Sequence, residues 1–334
     1  MTDPQILLSM LANLNDRRIL VVGDVMLDVY DFCSSAESKP IDSEKPGKRA
    51  YTAHESVRRL GGAGNVATNL AALGASTTLI GLAGGDGHGH TVRTLCDDAK
   101  LTHVLLGHAK RPTTTKTRIY IDDEYLLRKD HEDATPIDSK TARAVAAAVI
   151  KHLDSGLDAV ILSDYHKGLF TPESVALILE QCHTHGLPVV VDFKPANKAL
   201  FRGAGLLVPN ESEANVLLPG FKGTDNLPAA LAALKQELDA PAIVVTLGAR
   251  GLCGLSPETG FFHHSGHPVK AVDAVGCGDT VRAVLALGLA AGLNLRQAAA
   301  LANHAAAVIV QKPATATLTT EELAAFIQST WGQS

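Results

Sequence analysis

The segment Asp273-Ala-Val-Gly-Cys-Gly-Asp279 runs directly into Thr280-Val-Arg-Ala-Val-Leu-Ala-Leu-Gly-Leu-Ala-Ala. It sets two glycines and a carboxylate at the start of an apolar helix. Glycine lets backbone approach a ligand closely, and the first-turn N–H groups of a helix have no partner within it. Those donors and the helix dipole together favour an anion. Asp279 then has two readings: a first-turn acid that stabilises the helix by about 0.3–1 kcal/mol, or a base held beside a phosphoryl group in transfer.

Other residues could serve the same chemistry. Leu60-Gly-Gly-Ala-Gly-Asn65 opens a second helix. It fits neither the G-x-G-x-x-G dinucleotide register nor a P-loop. What remains is a Gly-Gly turn whose amides reach a small polar ligand, with Asn65 adding a side-chain amide, or an ordinary helix start. Asn210-Glu-Ser-Glu213 follows the apolar run Leu206-Leu-Val-Pro209. Its carboxylates suit a hydrated Mg²⁺, which needs one or two protein oxygens, and Asn210 with Glu213 also reads as a capping box. Arg118, Arg128, Lys116, Lys167 and Lys194 read as phosphate-seeking cations or as solvated surface charge.

These side chains need a frame. Short apolar runs at 18–24, 77–83, 159–163, 188–192, 205–208 and 242–246 alternate with helical stretches at 65–73, 139–153, 172–185, 227–238 and 280–290. That alternation predicts an α/β fold, a doubly wound and mostly parallel sheet, whose ligands bind beyond the carboxyl ends of the strands. Polar residues gather at those ends: Asp24 and Asp28, Ser163 and Asp164, Asp192 and Lys194, Asn210 and Glu213. Two segments break the pattern. Residues 29–60 are polar and irregular, and residues 113–130 alternate like a half-exposed antiparallel hairpin. They read either as surface hairpins or as a small sheet over the ligand end, a lid. The whole chain, 1–334, reads as one large domain carrying those two excursions.

Composition bounds the partners. With 46% apolar residues, 19% charged residues and a net charge of −5, the 334-residue chain reads as an ordinary globular protein, without the basic surplus of a nucleic-acid or membrane-surface binder. No uninterrupted apolar run reaches the ~18–20 residues of a membrane span. The start Met1-Thr-Asp-Pro-Gln shows no basic n-region, and five scattered cysteines without a C-x-x-C pair read as reduced thiols. A cytoplasmic location is the expectation.

Taken together these pieces resemble the ribokinase-like (PfkB) family of carbohydrate kinases. Gly61-Gly62-Ala-Gly-Asn65 with Leu73-Gly74 is similar to its first signature, and Asp273 to Asp279 to its second. Val245-Thr-Leu-Gly248 with Gly251, and Asn303-His-Ala-Ala-Ala-Val308, are similar to its adenine-side elements. The resemblance runs from about residue 18 to 325. Within the family, Val21-Val-Gly-Asp-Val-Met-Leu-Asp28, Thr115-Lys-Thr-Arg118, Leu162-Ser-Asp-Tyr-His-Lys-Gly168 and Pro209-Asn-Glu-Ser-Glu213 match the wording of the bacterial heptose 7-phosphate kinase subgroup. A cytidylyltransferase half found in that subgroup is not in these residues, so the kinase step alone is implied.

The resemblance implies an ATP-dependent sugar kinase that uses Mg²⁺, acting on O1 of D-glycero-β-D-manno-heptose 7-phosphate or on another sugar, sugar phosphate or nucleoside. A non-catalytic sugar or nucleotide binder on the same scaffold would lack the base or the glycine pair. Carried over, Asp279 is the base and Gly276, Cys277 and Gly278 form the anion hole. Asp24, Asp28, Gly61, Gly62, Asn65 and Asp164 fall on the sugar side, and Lys116, Arg118, Arg128, Lys167 and Lys194 serve the substrate's existing phosphate. Asn210, Glu211, Ser212, Glu213, Thr246, Gly248, Gly251 and Asn303 fall on the nucleotide side, with Glu213 by the metal. The helix start should lower the pKa of Asp279, and lid strands pairing between subunits would give a homodimer. The chain departs from the family in four places. Residues 38–46 differ from the subgroup, and Val275 and Cys277 replace Thr and Ala. Arg282-Ala283 replaces a small pair, which tightens the nucleotide pocket. Gln311-Lys-Pro-Ala replaces a glycine-containing loop, which leaves monovalent-cation dependence open.

Overall fold

A computed structural model describes residues 4–108 and 111–331; Met1–Asp3, part of the start read above, lie outside them. Among the described residues, nine strands form one sheet. Its spatial order is Gly260–His264, Leu252–Ser256, Ala242–Thr246, Leu206–Leu207, Val189–Asp192, Ala159–Ser163, Arg18–Gly23, Ser76–Gly84, Thr102–His108. All pairings are parallel except the two that attach Leu252–Ser256 and Gly260–His264.

The sheet is covered on both faces, which explains why its strands read as continuous apolar runs. Along the first strand Ile19 and Val21 enter one core while Leu20 and Val22 enter the other. The first core takes the helices Ala63–Ala72, Cys277–Ala290 and Leu295–Ile309. The second takes Ser139–Leu153, Pro172–Thr184 and Leu227–Glu237. Cys277–Ala290 is buried nearly all round, and a Cβ on its Gly288 would lie 2.9 Å from Ala298 Cβ, so the last two of the first-core helices touch closely there.

Strand order reverses at Arg18–Gly23, whose neighbours in space are the strands that follow it by one connection and by a long excursion. At this switch point Gly23 leaves no room for a side chain: a Cβ would sit 2.3 Å from Ser163 O. The next amide, Asp24 N, donates to that same carbonyl at 3.0 Å. Such a crevice is where ligands of this architecture bind.

The two pattern-breaking segments form a second, four-stranded sheet in the order Ala53–Gly62, Val25–Cys33, Thr115–Ile121, Glu124–His131. The expected irregular stretch at 29–60 is corrected here. Val25–Cys33 is a nine-residue strand, mostly buried, whose apolar run is masked by Asp28 and Asp31. Ala53–Gly62 is a ten-residue partner. Only the middle holds little structure, a two-residue pairing of Lys39–Pro40 with Arg49–Ala50. Two further boundaries move. The late helix begins at Cys277 rather than Thr280, because Gly276 with φ 79° acts as its N-cap. The expected strand at 205–208 shrinks to Leu206–Leu207. No helix among the described residues is long and apolar enough to cross a membrane.

Candidate active site

The glycine-rich helix start is built by two buried helices laced together through polar side chains. Asn65 Nδ2 donates to Asp279 Oδ2 at 2.8 Å, and one turn further on Thr280 Oγ1 donates to Asn69 Oδ1 at 3.0 Å. Asn69 in turn donates to the Asn65 carbonyl at 3.0 Å. Buried polar groups of this kind are costly unless paired, so the ladder fixes how the two helices face each other. Thr280 N closes the first turn on Gly276 O at 3.1 Å. The amides of Gly278 and Asp279 therefore stand at the helix mouth without an intrahelical acceptor.

Asp279 itself is buried, and its other oxygen accepts from Tyr165 Oη at 2.5 Å. Arg282 Nη1 lies 3.4 Å from that oxygen, and Arg282 Nη2 lies 2.8 Å from Asp192 Oδ1. Burial raises the Asp279 pKa above its ordinary value, against Arg282, Tyr165 and Asn65, which favour the ionised form. The helix start is expected to lower it; instead it is raised, with desolvation by burial the largest cause. Tyr165 stays protonated, since burial and the Asp279 charge hold its pKa well above the usual phenol range.

Tyr165 was not singled out from the sequence, though it follows the strand end Ser163-Asp164, where a ligand-facing residue is expected. Its loop is held from below. Asp24 Oδ2 accepts from Tyr165 N at 2.8 Å and Lys167 N at 3.0 Å. Asp164 Oδ1 accepts from His166 N at 2.7 Å, and its other oxygen from Asn197 Nδ2 at 2.8 Å. Burial and the neighbouring Asp164 push Asp24 up to about 6. Both aspartates, placed on the sugar side by resemblance, thus each use an oxygen to hold the loop.

Of the residues that the resemblance assigns to the sugar, the structure brings Asp28, Gly61, Gly62 and Asn65 together. A Cβ on Gly61 would lie 2.5 Å from Asp28 Oδ2, so Gly61 is what lets that carboxylate sit there. Gly62 takes φ 57° at the helix N-cap, and a Cβ there would lie 2.5 Å from Asp24 O. Arg118 is committed: Nη1 pairs with Asp28 Oδ1 at 2.8 Å in a buried contact, with the guanidinium 5.1 Å over the Tyr30 ring. Lys167 Nζ pairs with Glu132 Oε1 at 2.7 Å, and Lys116 lies 4.0 Å from the other Glu132 oxygen and 3.4 Å from Asp130. Arg128, half exposed, pairs with Asp130 at 2.8 Å. Lys194 sits apart from this group, 2.6 Å from Glu213 and over the Tyr165 ring at 5.1 Å.

A cavity of about 750 Å³ opens from the helix mouth toward the antiparallel edge of the sheet. Gly276, Cys277, Gly278 and Asp279 border it, and so do Asn210, Glu211, Ser212, Thr246, Gly248, Gly251 and Asn303. Seven of the eight residues assigned to the nucleotide side thus share one wall; Glu213 does not border it. Gly251 at φ 88° is required there, because a Cβ would lie 2.0 Å from His264 O. Arg282 also borders this cavity.

Asn210 and Glu213 form the expected capping box: Glu213 N donates to Asn210 Oδ1 at 2.9 Å and Asn210 N to Glu213 Oε2 at 3.0 Å. With Lys194 on its second oxygen, both Glu213 oxygens already have a partner. Glu211 faces the cavity but pairs with Arg250. No cluster of three acidic, His or Cys side chains that could hold a metal occurs among the described residues. The donor set fits a Mg²⁺ carried by nucleotide phosphates and water, not one caged by protein.

A family model described as pfkB family carbohydrate kinase matches residues 16–322. The chain is 37% identical over 310 residues to a D-beta-D-heptose 7-phosphate kinase of Bordetella bronchiseptica, covering 92% of this chain and 95% of that protein. It is 39% identical over 312 residues to the bifunctional protein HldE of Rhodopseudomonas palustris, covering 91% of this chain; it spans 62% of that relative's length. In fold it is similar to phosphofructokinase-2 of Escherichia coli in complex with potassium (TM-score 0.75, 20% identity, 94% of this chain and 99% of that one). It is similar also to the ribokinase of Arabidopsis thaliana complexed with ribose and ATP (TM-score 0.71, 20% identity, 94% and 99%).

Proposed function

Because the chain belongs to the pfkB family of carbohydrate kinases, we propose that it transfers the γ-phosphoryl group of ATP to O1 of D-glycero-β-D-manno-heptose 7-phosphate, in the cytoplasm. The observation that carries this reading is Asp279, which stands where the cavity bordered by the nucleotide-side residues meets the cluster of Asp28, Gly61 and Asn65. The heptose follows from the relative named as such a kinase, which this chain matches over nearly its full length.

The sugar O1–phosphorus bond forms as the bond from the β–γ bridging oxygen to the γ-phosphorus breaks, and ADP leaves. Charge in a loose transition state spreads over the phosphoryl oxygens, and bond formation is late. Asp279 therefore accepts the proton late and works mainly by orienting the alcohol. The incoming hydroxyl takes the place of Tyr165 on Oδ1, while Asn65 keeps Oδ2. The Gly276–Gly278 turn supplies amides for the phosphoryl oxygens. Asn210, Glu211 and Ser212 border the space that Mg²⁺ carried by ATP would occupy, where its charge would offset that of the phosphates. The second sheet acts as a lid that excludes water, which otherwise competes as acceptor.

The test is ATP consumption across heptose 7-phosphates, hexose phosphates, free pentoses and nucleosides. The highest kcat/KM belongs to the heptose 7-phosphate; a free pentose or nucleoside in first place removes the assignment.

We assign the substrate's existing phosphate to Lys116 and Lys167, between which the Glu132 carboxylate now sits. A phosphate would have to displace it. Glu132→Gln is therefore expected to lower the sugar-phosphate KM about two- to fivefold, the worth of a partly exposed pair of ~0.4–1 kcal/mol, with KM for ATP unmoved. A raised sugar KM would place the phosphate elsewhere.

Two copies pair through the exposed strand Glu124–His131, which presents Tyr125, Leu126 and Leu127 at 55%, 54% and 43% exposure. Light scattering at micromolar concentration should report a dimer, and a monomer would remove the proposal.

A further inference from the structure

We propose that Arg282 is a positioning residue for the base: wedged between the buried carboxylates of Asp192 and Asp279, its guanidinium keeps Asp279 ionised and aimed at the acceptor hydroxyl. The inference rests on Asp279 being the base, and deepens that reading.

Its geometry is specific. Arg282 lies three residues after Asp279, hence on the same helix face, and is 7% exposed. It reaches Asp192 at 2.8 Å with one terminal nitrogen and Asp279 at 3.4 Å with the other. It packs beneath the anion-hole turn, since a Cβ on Gly278 would meet Nη1 at 2.9 Å. Yet it is not locked as a structural fork would be. Neither Asp192 oxygen has an aligned hydrogen-bond partner, and Arg282 Nε has none. The 2.8 Å contact with Asp192 is thus one of charge rather than of aligned hydrogen bonds.

The surrounding charges leave Arg282 the task alone. Asp28, from the second sheet, faces Asp279 but is neutralised by Arg118 at 2.8 Å. Glu213 is neutralised by Lys194 at 2.6 Å. Tyr165 and Asn65 offer neutral donors, and Cys277, on the same helix, is a thiol held protonated by burial. Among the described residues Arg282 is the only cation within salt-bridge distance of Asp279. Burial opposes its charge, but Asp192, Tyr165 and Asp279 outweigh that and hold it protonated. Burial disfavours the charge of Asp192 in turn, while Arg282 and Lys194 favour it. Without the guanidinium, Asp279 would lose the cation that most opposes its desolvation, and a buried carboxylate without such a partner holds its proton.

The test is the pH profile of kcat/KM for the sugar phosphate in the full-length enzyme. Ionised Asp279 is the active form, so activity rises with pH through its pKa, and losing a neighbouring cation moves that limb upward. Arg282→Met is expected to shift the limb up by about 1–3 pH units. Activity on the acid side then falls roughly tenfold per unit and is regained in alkali, with KM for ATP within a few fold. Arg282→Lys restores the limb much of the way. Asp192→Asn, which leaves the guanidinium undivided on Asp279, shifts the limb downward and carries the test if Arg282→Met does not fold. A pH-independent loss with the limb in place would reduce Arg282 to structural support. A change confined to KM for ATP would make it a nucleotide contact. Either outcome overturns the proposal, as does an Asp192→Asn limb that stays put or rises. If instead Asp279→Asn keeps wild-type turnover, the base assignment itself has failed, whatever Arg282 does.

Discussion

Asp279→Asn is expected to lower kcat by ~10²–10⁴, the span for a positioned acid–base group, while ATP affinity stays within a few fold. The substitution isolates the proton acceptor. The amide oxygen can still accept from Tyr165 or Asn65, whose donors lie at 2.5 and 2.8 Å, and Arg282 still has Asp192 at 2.8 Å. The helix mouth and its amides are untouched, so nucleotide binding has no cause to change. The protein should fold, because a buried charge is replaced by a neutral group of the same shape. Single-turnover kinetics with saturating ATP and a separate nucleotide-binding titration check the two halves. Near wild-type turnover would refute the role of Asp279. The wild-type acid limb should also lie above the ordinary carboxylate range, because burial raises this pKa.

Gly276→Ala should be nearly as damaging, for a different reason. Gly276 has φ 79°, and its Cβ would lie 2.9 Å from Asn65 Nδ2 and 3.0 Å from Thr315 Cγ2. The left-handed conformation alone costs alanine about 1–2 kcal/mol, which a thermal melt would detect as a modest loss. The kinetic effect is larger because the methyl pushes on the amide that holds Asp279 Oδ2 and also distorts the anion-hole turn. We expect kcat to fall ~10²–10³, the cost of losing one such donor. Adding Asn65→Ala to Gly276→Ala should then cost less than the product of the two single effects, since both act through one contact. Strict multiplicativity would separate the turn from Asn65.

Much of the frame was legible in the chain. Apolar runs marked the parallel strands because both faces are buried, and turn chemistry marked the helix starts at Gly61-Gly62 and Gly276. The capping box of Asn210 and Glu213 was readable because it is local, within four residues. Seven of the eight residues that the resemblance puts on the nucleotide side border one cavity, and Glu213 does not. What could not be read depends on contacts between distant segments. The sign of the Asp279 pKa follows from burial, which no local pattern encodes. Arg282 reads as an odd cation in an apolar helix until Asp192, from another strand, arrives beside it. Asp24 and Asp164 stand where ligand-facing residues belong, yet each gives one oxygen to backbone amides of the next loop. Residues 29–33 read with the polar stretch that follows them, although they complete the strand Val25–Cys33, whose burial comes from the tertiary fold.

The ladder from Asn65 to Asp279 joins positions 214 residues apart. Its consequence concerns synthesis. A nascent chain that has emerged only as far as the central strands already carries the first glycine turn and Asn65, but neither the carboxylate nor the second glycine mouth. A chain that stops short of residue 279 therefore lacks one half of this contact, and the site takes shape only once Cys277–Ala290 docks against Ala63–Ala72.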